Sequence, residues 1–183
     1  MVNTGGSHAD LTGDYAAVRG EMEAVARALG SEVLRETSRG ALLANLNGVR
    51  AGCDDRAILR ALHFFAENER VDAQAAALAR GDFAAFLALV KESGRSSFMY
   101  NQNVYSPAHP STAQPVALAL ALSETLLGGR GAFRVHGGGF AGTIQAFVPL
   151  DMLDAYRTAM EAVFGEGACY VLRVRAQGAV KVL

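Results

Sequence analysis

The stretch Arg134-Val-His-Gly-Gly-Gly-Phe-Ala-Gly-Thr-Ile-Gln-Ala-Phe-Val-Pro149 decides how this chain folds. Ala132 to His136 and Thr143 to Val148 alternate apolar and polar residues, the period-two pattern of a strand. Between them stand Gly137, Gly138, Gly139 and Gly142. A glycine run forfeits side-chain packing and adds backbone entropy to be lost on folding, so an ordered one has a task. One such task is to bring backbone N–H groups close to an anion such as phosphate. The plainer alternative is a tight connection that lets two strands pack closely.

N-terminal to this unit the chain reads as helical. Leu11, Tyr15, Val18, Met22, Val25 and Leu29 recur at helical spacing, with Arg19, Glu21, Glu23 and Arg27 largely off that face. Thr12 or Asp14 is expected to cap this helix and Gly30 to follow its end. Glu32 to Asp55 is mixed, with a short helix around Leu42, Leu43 and Leu46, expected to be broken by Asn47-Gly48 and by Gly52-Cys-Asp-Asp55. Arg56 to Arg80 is rich in Ala, Leu, Glu, Gln and Arg, all good helix formers. Gly81-Asp82 ends that helix and caps the next, whose expected buried stripe is Phe83, Phe86, Leu87 and Val90. A polar loop is expected from Ser93 to Pro110. Thr112 is then placed to cap a helix with Pro115 in its first turn, ending at Gly128-Gly129. Past the glycine loop, Asp151 to Phe164 reads as a helix. Tyr170 to Arg175 and Val180 to Leu183 read as a hairpin turning at Gln177-Gly178. Helices first, then strand–loop–strand–helix–hairpin, give an α+β fold in which a helical segment and an antiparallel sheet are packed with helices. No linker divides residues 1–183, so one domain is expected.

Composition narrows the function classes. The 183 residues carry 17 basic and 18 acidic side chains, a net charge of −1, with no Lys/Arg-rich tract. That balance offers no electrostatic case for nucleic acid or an anionic membrane. The apolar run Pro115 to Leu122 is too short to span a bilayer. The N-terminus lacks the charged-then-apolar pattern of a signal peptide, and Val2-Asn3-Thr4 opens abruptly, like a strand cut from a longer chain. Two distant cysteines, Cys53 and Cys169, make a disulfide scaffold improbable and a cytoplasmic setting the expectation.

The glycine loop itself excludes several nucleotide sites. Gly137, Gly139 and Gly142 satisfy G-x-G-x-x-G, but a dinucleotide site requires a helix to follow, and here a strand follows. A protein-kinase loop would need a lysine soon afterwards; none occurs between Lys91 and Lys181. A P-loop motif is absent. His63 and Glu67 lie one helical turn apart, but two ligands do not make a metal site. No metal site is expected.

Four segments, taken together and in order, resemble one family. Gly137-Gly-Gly-Phe-Ala-Gly142, between strands, is similar to the C-terminal glycine motif of galactokinases, members of the GHMP superfamily of small-molecule kinases. Ser7-His8 followed by Tyr15 and Arg19 resembles the stretch just past mid-chain in that family. Arg60-Ala-Leu-His-Phe-Phe-Ala-Glu-Asn-Glu-Arg-Val71 resembles its helix bearing an E-N-E-R signature. Gly81-Asp82-Phe83 to Glu92-Ser93 resembles its next helix. Two departures stand out: His136 replaces the usual Thr before the glycines, and Ala141 replaces a Gly.

The resemblance implies a GHMP-kinase C-terminal lobe of ferredoxin-like type, lacking the N-terminal sugar and ATP motifs and the catalytic Asp. It implies transfer of the γ-phosphoryl group of Mg-ATP to the anomeric hydroxyl of galactose, in concert with an N-terminal lobe. By the same resemblance Tyr15 contacts the sugar, and Gly137, Gly138 and Gly139 close around phosphate and sugar. Tyr15 also sits on an apolar stripe and fits a core role. Asn101, Gln102 and Asn103 fit sugar hydroxyls or, more simply, a turn; His8 and His109 read as polar loop residues. A lobe without its mate exposes an apolar interface, so self-association is a further expectation. The alternative is a stand-alone, non-catalytic sugar-binding or regulatory module derived from such a kinase.

Overall fold

The computed structural model describes residues 1–6, 10–107, 112–174, 178, 180 and 181. Ser7, His8 and His109 lie outside these. Strand β1 (Val2–Asn3) leads into helix α1 (Thr12–Ala28). The short helices α2 (Arg39–Ala44) and α3 (Leu46–Gly52) follow, then the long α4 (Asp55–Ala79) and α5 (Phe83–Ser96). Helix α6 (Pro115–Leu127), strands β2 (Ala132–Val135) and β3 (Thr143–Phe147), and helix α7 (Leu153–Phe164) complete the order. The expected α+β class holds.

The sheet is antiparallel in the order β1-β3-β2. Val135 and Val2 both stand opposite Ile144, so the middle strand presents one fully buried side chain to both neighbours. Around it Val116, Leu120 and Leu127 of α6 and Tyr156 and Met160 of α7 form the first core. A second core belongs to the helices: Val25, Leu34, Leu42, Val49, Ile58 and Phe65. A third, small cluster of Leu11, Phe140 and Ala141 lies under the glycine loop.

The helix signals at α4, α5 and α6 act as read. Gly81 adopts φ +70°, the Asp82 side chain accepts the Ala85 N–H at 3.0 Å, and Gly128 closes α6 at φ +52°. Others do not. Neither Thr12 nor Asp14 caps α1; Leu11 occupies the cap position with no side-chain bond. Leu11 is buried against the glycine loop, so packing sets this helix start, and the Asp14 carboxylate instead accepts the Ser106 hydroxyl proton. Thr112 does not cap α6 either; Gln114 precedes Pro115.

Helix also runs past Ser93, where a loop was expected, through Ser96 and into a π turn at Ser97–Asn101. The reason is tertiary: α4 supplies polar partners for serines that would otherwise favour a break. Ser93 donates to the Glu67 carboxylate, and the Ser96 hydroxyl meets His63 Nδ1 at 2.8 Å. Phe83 departs from its expected buried stripe, remaining about half exposed and stacking on Phe86, whose ring meets Phe147 edge-on. The expected strand from Tyr170 does not form over the described residues up to Val174. Cys169 makes only an isolated bridge to Val2, and Met1 and Tyr170 exchange backbone hydrogen bonds of 2.9 and 2.8 Å. Beyond Tyr170 no described strand lies alongside to continue the ladder; Arg175 and most of the expected return strand are outside the described residues.

The E-N-E-R segment is a brace. Glu67 ties α4 to Ser93 of α5, to Arg70 of its own helix and, at 3.5 Å, to Arg134 of β2. Asn68 accepts from Arg35 at 2.8 Å, and Glu69 lies 3.6 Å from Arg39. One carboxylate thus joins two helices and the sheet in a largely buried setting. Removing it leaves Arg134 without its carboxylate and Arg70 with only Glu92, 3.8 Å away, which is the costly way to break a largely buried pair. We expect Glu67→Ala to destabilise the chain by about 2 kcal/mol, and Glu69→Ala by no more than a few tenths, as read by urea denaturation.

Candidate functional site

The loop Gly137–Gly142 is held from two sides. The Asn103 carbonyl accepts the Phe140 N–H at 2.5 Å, while Asn103 Nδ2 donates to the Gly138 carbonyl at 3.1 Å. From α1, the Tyr15 hydroxyl donates to the Gly139 carbonyl at 2.9 Å. The Tyr15 ring stands edge-on to Phe140, 5.4 Å between centroids. Phe140 is held at φ +62°, a region few non-glycine residues occupy, and its buried ring offsets that strain.

These contacts explain the glycines. A Cβ on Gly139 would lie 2.0 Å from the Asn103 carbonyl oxygen, and one on Gly138 would lie 2.6 Å from Tyr15 Cε1. The close-packing role is therefore real. It also orients the backbone. A trans peptide points its N–H opposite its C=O, so turning the Gly138 carbonyl toward Asn103 turns the Gly139 N–H away from it. The N–H groups of Gly137, Gly138 and Gly139 have no acceptor among the described residues. The Gly138 and Gly139 carbonyls are thus held by the protein, while Gly137 and Gly138 are exposed and Gly139 is buried.

Asn103 is itself positioned by a buried chain of charge. Arg60, 1% exposed, donates through Nε to the Asn101 carbonyl at 3.1 Å and through Nη1 to Glu21 at 2.8 Å. Arg56 binds the same Glu21 carboxylate at 2.5 Å. The π turn closes with the Gln102 N–H donating to the Ser97 carbonyl at 2.8 Å, and Gln102 takes φ +54°. The turn-forming role read for residues 101–103 is what the structure displays. The bracing roles of Asn103 and Arg60 were not legible, since nothing local marks an arginine for burial.

Beside the loop opens a cleft of about 540 Å³ bounded by Tyr15, Arg19, Met22, Phe64, Asn103 and Gly138. Tyr15 and the glycines, expected to act together, do meet here. Burial, and secondarily the Asp14 charge, raise the Tyr15 pKa above its ordinary value, so the hydroxyl keeps its proton and acts as a donor. Arg19 is engaged by Glu23 at 2.7 Å. His136 is exposed and continues the strand ladder, its N–H donating to the Thr143 carbonyl at 3.0 Å.

His63 and Glu67 are neighbours committed to Ser96 and Ser93; no group of three potential metal ligands occurs among the described residues. Burial, with only partial opposition from Glu67, lowers the His63 pKa below its ordinary value of 6.5. A histidine held neutral in the fold stabilises it fully above pH 6.5, and that contribution is lost as the pH falls and the unfolded chain takes up the proton. We expect the melting temperature to fall below that pH, and His63→Gln to flatten the decline, as measured by calorimetry across a pH series.

Two further outcomes follow from the loop. Tyr15→Phe removes one hydrogen bond and should cost about 1 kcal/mol of stability. Gly139→Ala must displace the Asn103 carbonyl and should cost more, about 2–3 kcal/mol, with shifts at Phe140 and Asn103 in amide NMR spectra.

No protein-family model matches the chain. Over all 183 residues it is 33% identical to the human protein "Galactokinase", of which it covers 43%. Its fold matches that of Lactococcus lactis galactokinase, solved in complex with galactose, with a TM-score of 0.71 at 24% identity, over 90% of this chain and 40% of that one. The chain is thus a galactokinase homologue that spans less than half the length of the relatives it matches.

Proposed function

We propose that this galactokinase homologue is the C-terminal lobe of a sugar kinase, and that it supplies one wall of a site transferring the γ-phosphoryl group of ATP to the anomeric hydroxyl of galactose. The observation that carries the reading is the meeting of Tyr15, anchored on the Gly139 carbonyl, with Gly137 and Gly138 at one cleft. The whole chain, residues 1–183, acts as one domain of a two-lobed enzyme, and the catalytic base comes from the other lobe.

Phosphoryl transfer depends on positioning and on stabilising charge spread over the equatorial phosphate oxygens. Backbone donors aimed at that charge cost no reorganisation when the reaction occurs. The exposed amides of Gly137 and Gly138 suit this task, because Asn103 and Tyr15 hold the Gly138 and Gly139 carbonyls and so fix the loop. Tyr15 lines the cleft with its hydroxyl anchored on the Gly139 carbonyl, and in this reading it orients the sugar. When bound, Mg-ATP supplies the phosphoryl group and the divalent charge that neutralises it; the donor set here fits the phosphate and offers no metal ligands among the described residues.

The mating surface includes Tyr170, Val171, Leu172 and Val174, all exposed and the last almost fully so. An apolar run of this kind suits the N-terminal lobe and drives self-association when that lobe is absent. The setting is cytoplasmic, in keeping with the unpaired thiols Cys53 and Cys169 and with the lack, among the described residues, of a helix long and apolar enough to cross a membrane.

The test mixes the purified chain with galactose and Mg-ATP, with and without a separately expressed galactokinase N-terminal lobe, and measures galactose 1-phosphate. Product is expected only with both lobes, and Tyr15→Phe should lower kcat/KM by about tenfold, the value of one hydrogen bond to substrate. Product from the isolated chain overturns the division of labour. No product from any combination overturns the catalytic reading. If galactose still raises the melting temperature in that case, the chain is a sugar-binding module instead.

A further inference from the structure

A second cleft, of about 740 Å³, lies between α5, α6 and β2 and shares no lining residue with the cleft at the glycine loop. Its walls are apolar: Phe98 and Met99 from the π turn, Leu120 and Leu127 from α6, and Phe133 from β2. Phe98 and Met99 are 44% and 61% exposed, though the turn that carries them is otherwise anchored through buried Ser97 and Asn101. The volume falls within the range of small-molecule sites.

The charges at its margin are unevenly committed. Lys91 and Arg95 stand one turn apart on α5, both lining the cleft, and neither has an ion-pair partner among the described residues. Lys91 is half-buried, where a cation without a counter-charge is unfavourable. The third cation, Arg130, is held by Asp151 through two bonds of 2.8 and 2.9 Å. On the facing helix Glu124 is the single acid of the lining. An apolar slot with two free cations on one wall and one carboxylate on the other suits a ligand with one negative charge and an apolar body. It disfavours a polyanion such as a nucleotide, because Glu124 repels the extra charge.

We propose that this cleft binds a medium-chain monocarboxylate, its carboxylate on Lys91 and Arg95 and its alkyl body between Phe98, Met99 and Leu120. The site is separate from the proposed phosphoryl-transfer wall and does not depend on that assignment.

The probe is decanoate, with 1-decanol as its uncharged counterpart. Both are titrated into the chain carrying isotope-labelled methionine methyl groups. There are five methionines, and Met99→Leu identifies the Met99 signal. Decanoate should shift Met99 saturably in the micromolar to low-millimolar range and leave Met22, on the glycine-loop cleft, unmoved; decanol should bind about tenfold more weakly. The Lys91→Gln/Arg95→Gln double variant should lose about tenfold in affinity for decanoate and nothing for decanol. Its melting temperature should not fall, since neither side chain pairs within the fold and the half-buried Lys91 charge is removed. Ala121→Trp, at an exposed position of the α6 wall, fills the cleft and should abolish the shift. The proposal is overturned if Met99 does not move, if decanol binds as tightly as decanoate, or if the double variant binds decanoate unchanged. Should that variant not fold, the decanol comparison and Ala121→Trp decide.

Discussion

The hydrogen bond from the Phe140 N–H to the Asn103 carbonyl is the contact on which the candidate site depends. It draws the glycine loop so close to the segment after α5 that residue 139 can carry no side chain. It places Phe140 at positive φ with its ring buried against Tyr15. With the Asn103 side chain on the Gly138 carbonyl and Tyr15 on the Gly139 carbonyl, it fixes the peptide planes at the centre of the loop. A loop with the same glycines but without Asn103 would be flexible and would present no defined donors.

That bond is only as firm as the turn that offers the carbonyl. The turn is anchored by Arg60, a guanidinium inside the protein held by Glu21 and the Asn101 carbonyl. A buried cation is tolerable because both partners are supplied by packed helices rather than by solvent. Glu67 plays a parallel part on the other face of α4, joining α5 and β2. The long helix α4 is thus a spine with two charged brackets, one gripping the turn beneath the loop and the other gripping the strand that enters it. The E-N-E-R segment earns its place in this chain through structure, and its residues need not touch any ligand to matter for one.

Much of the architecture was legible along the chain. Glycine or aspartate punctuation at Gly81-Asp82 and Gly128 ended and started helices where read, because φ > 0 and N-terminal capping are local demands. The strand pair around the glycines followed from alternation alone. The errors share a cause. Leu11 replaced Thr12 or Asp14 at a helix start, and Ser93 and Ser96 stayed helical, because a distant element supplied burial or a hydrogen-bond partner that local propensity does not encode. Phe83 stayed outside the core because no described element covers its side of α5.

For the site, the sequence by itself determined which residues could take part. Only glycines permit so close a backbone approach; the following strand excludes the dinucleotide reading, and the missing motif excludes the P-loop. Tyr15, read either as a core residue or as a ligand contact, proved to bridge α1 and the loop. What the tertiary structure alone decided is direction. Which way the loop's peptides face depends on Asn103 and Tyr15, which lie 35 residues before Gly138 and 124 before Gly139. No local pattern carries that information, because peptide orientation is set by whichever partners the folded chain brings within hydrogen-bond reach.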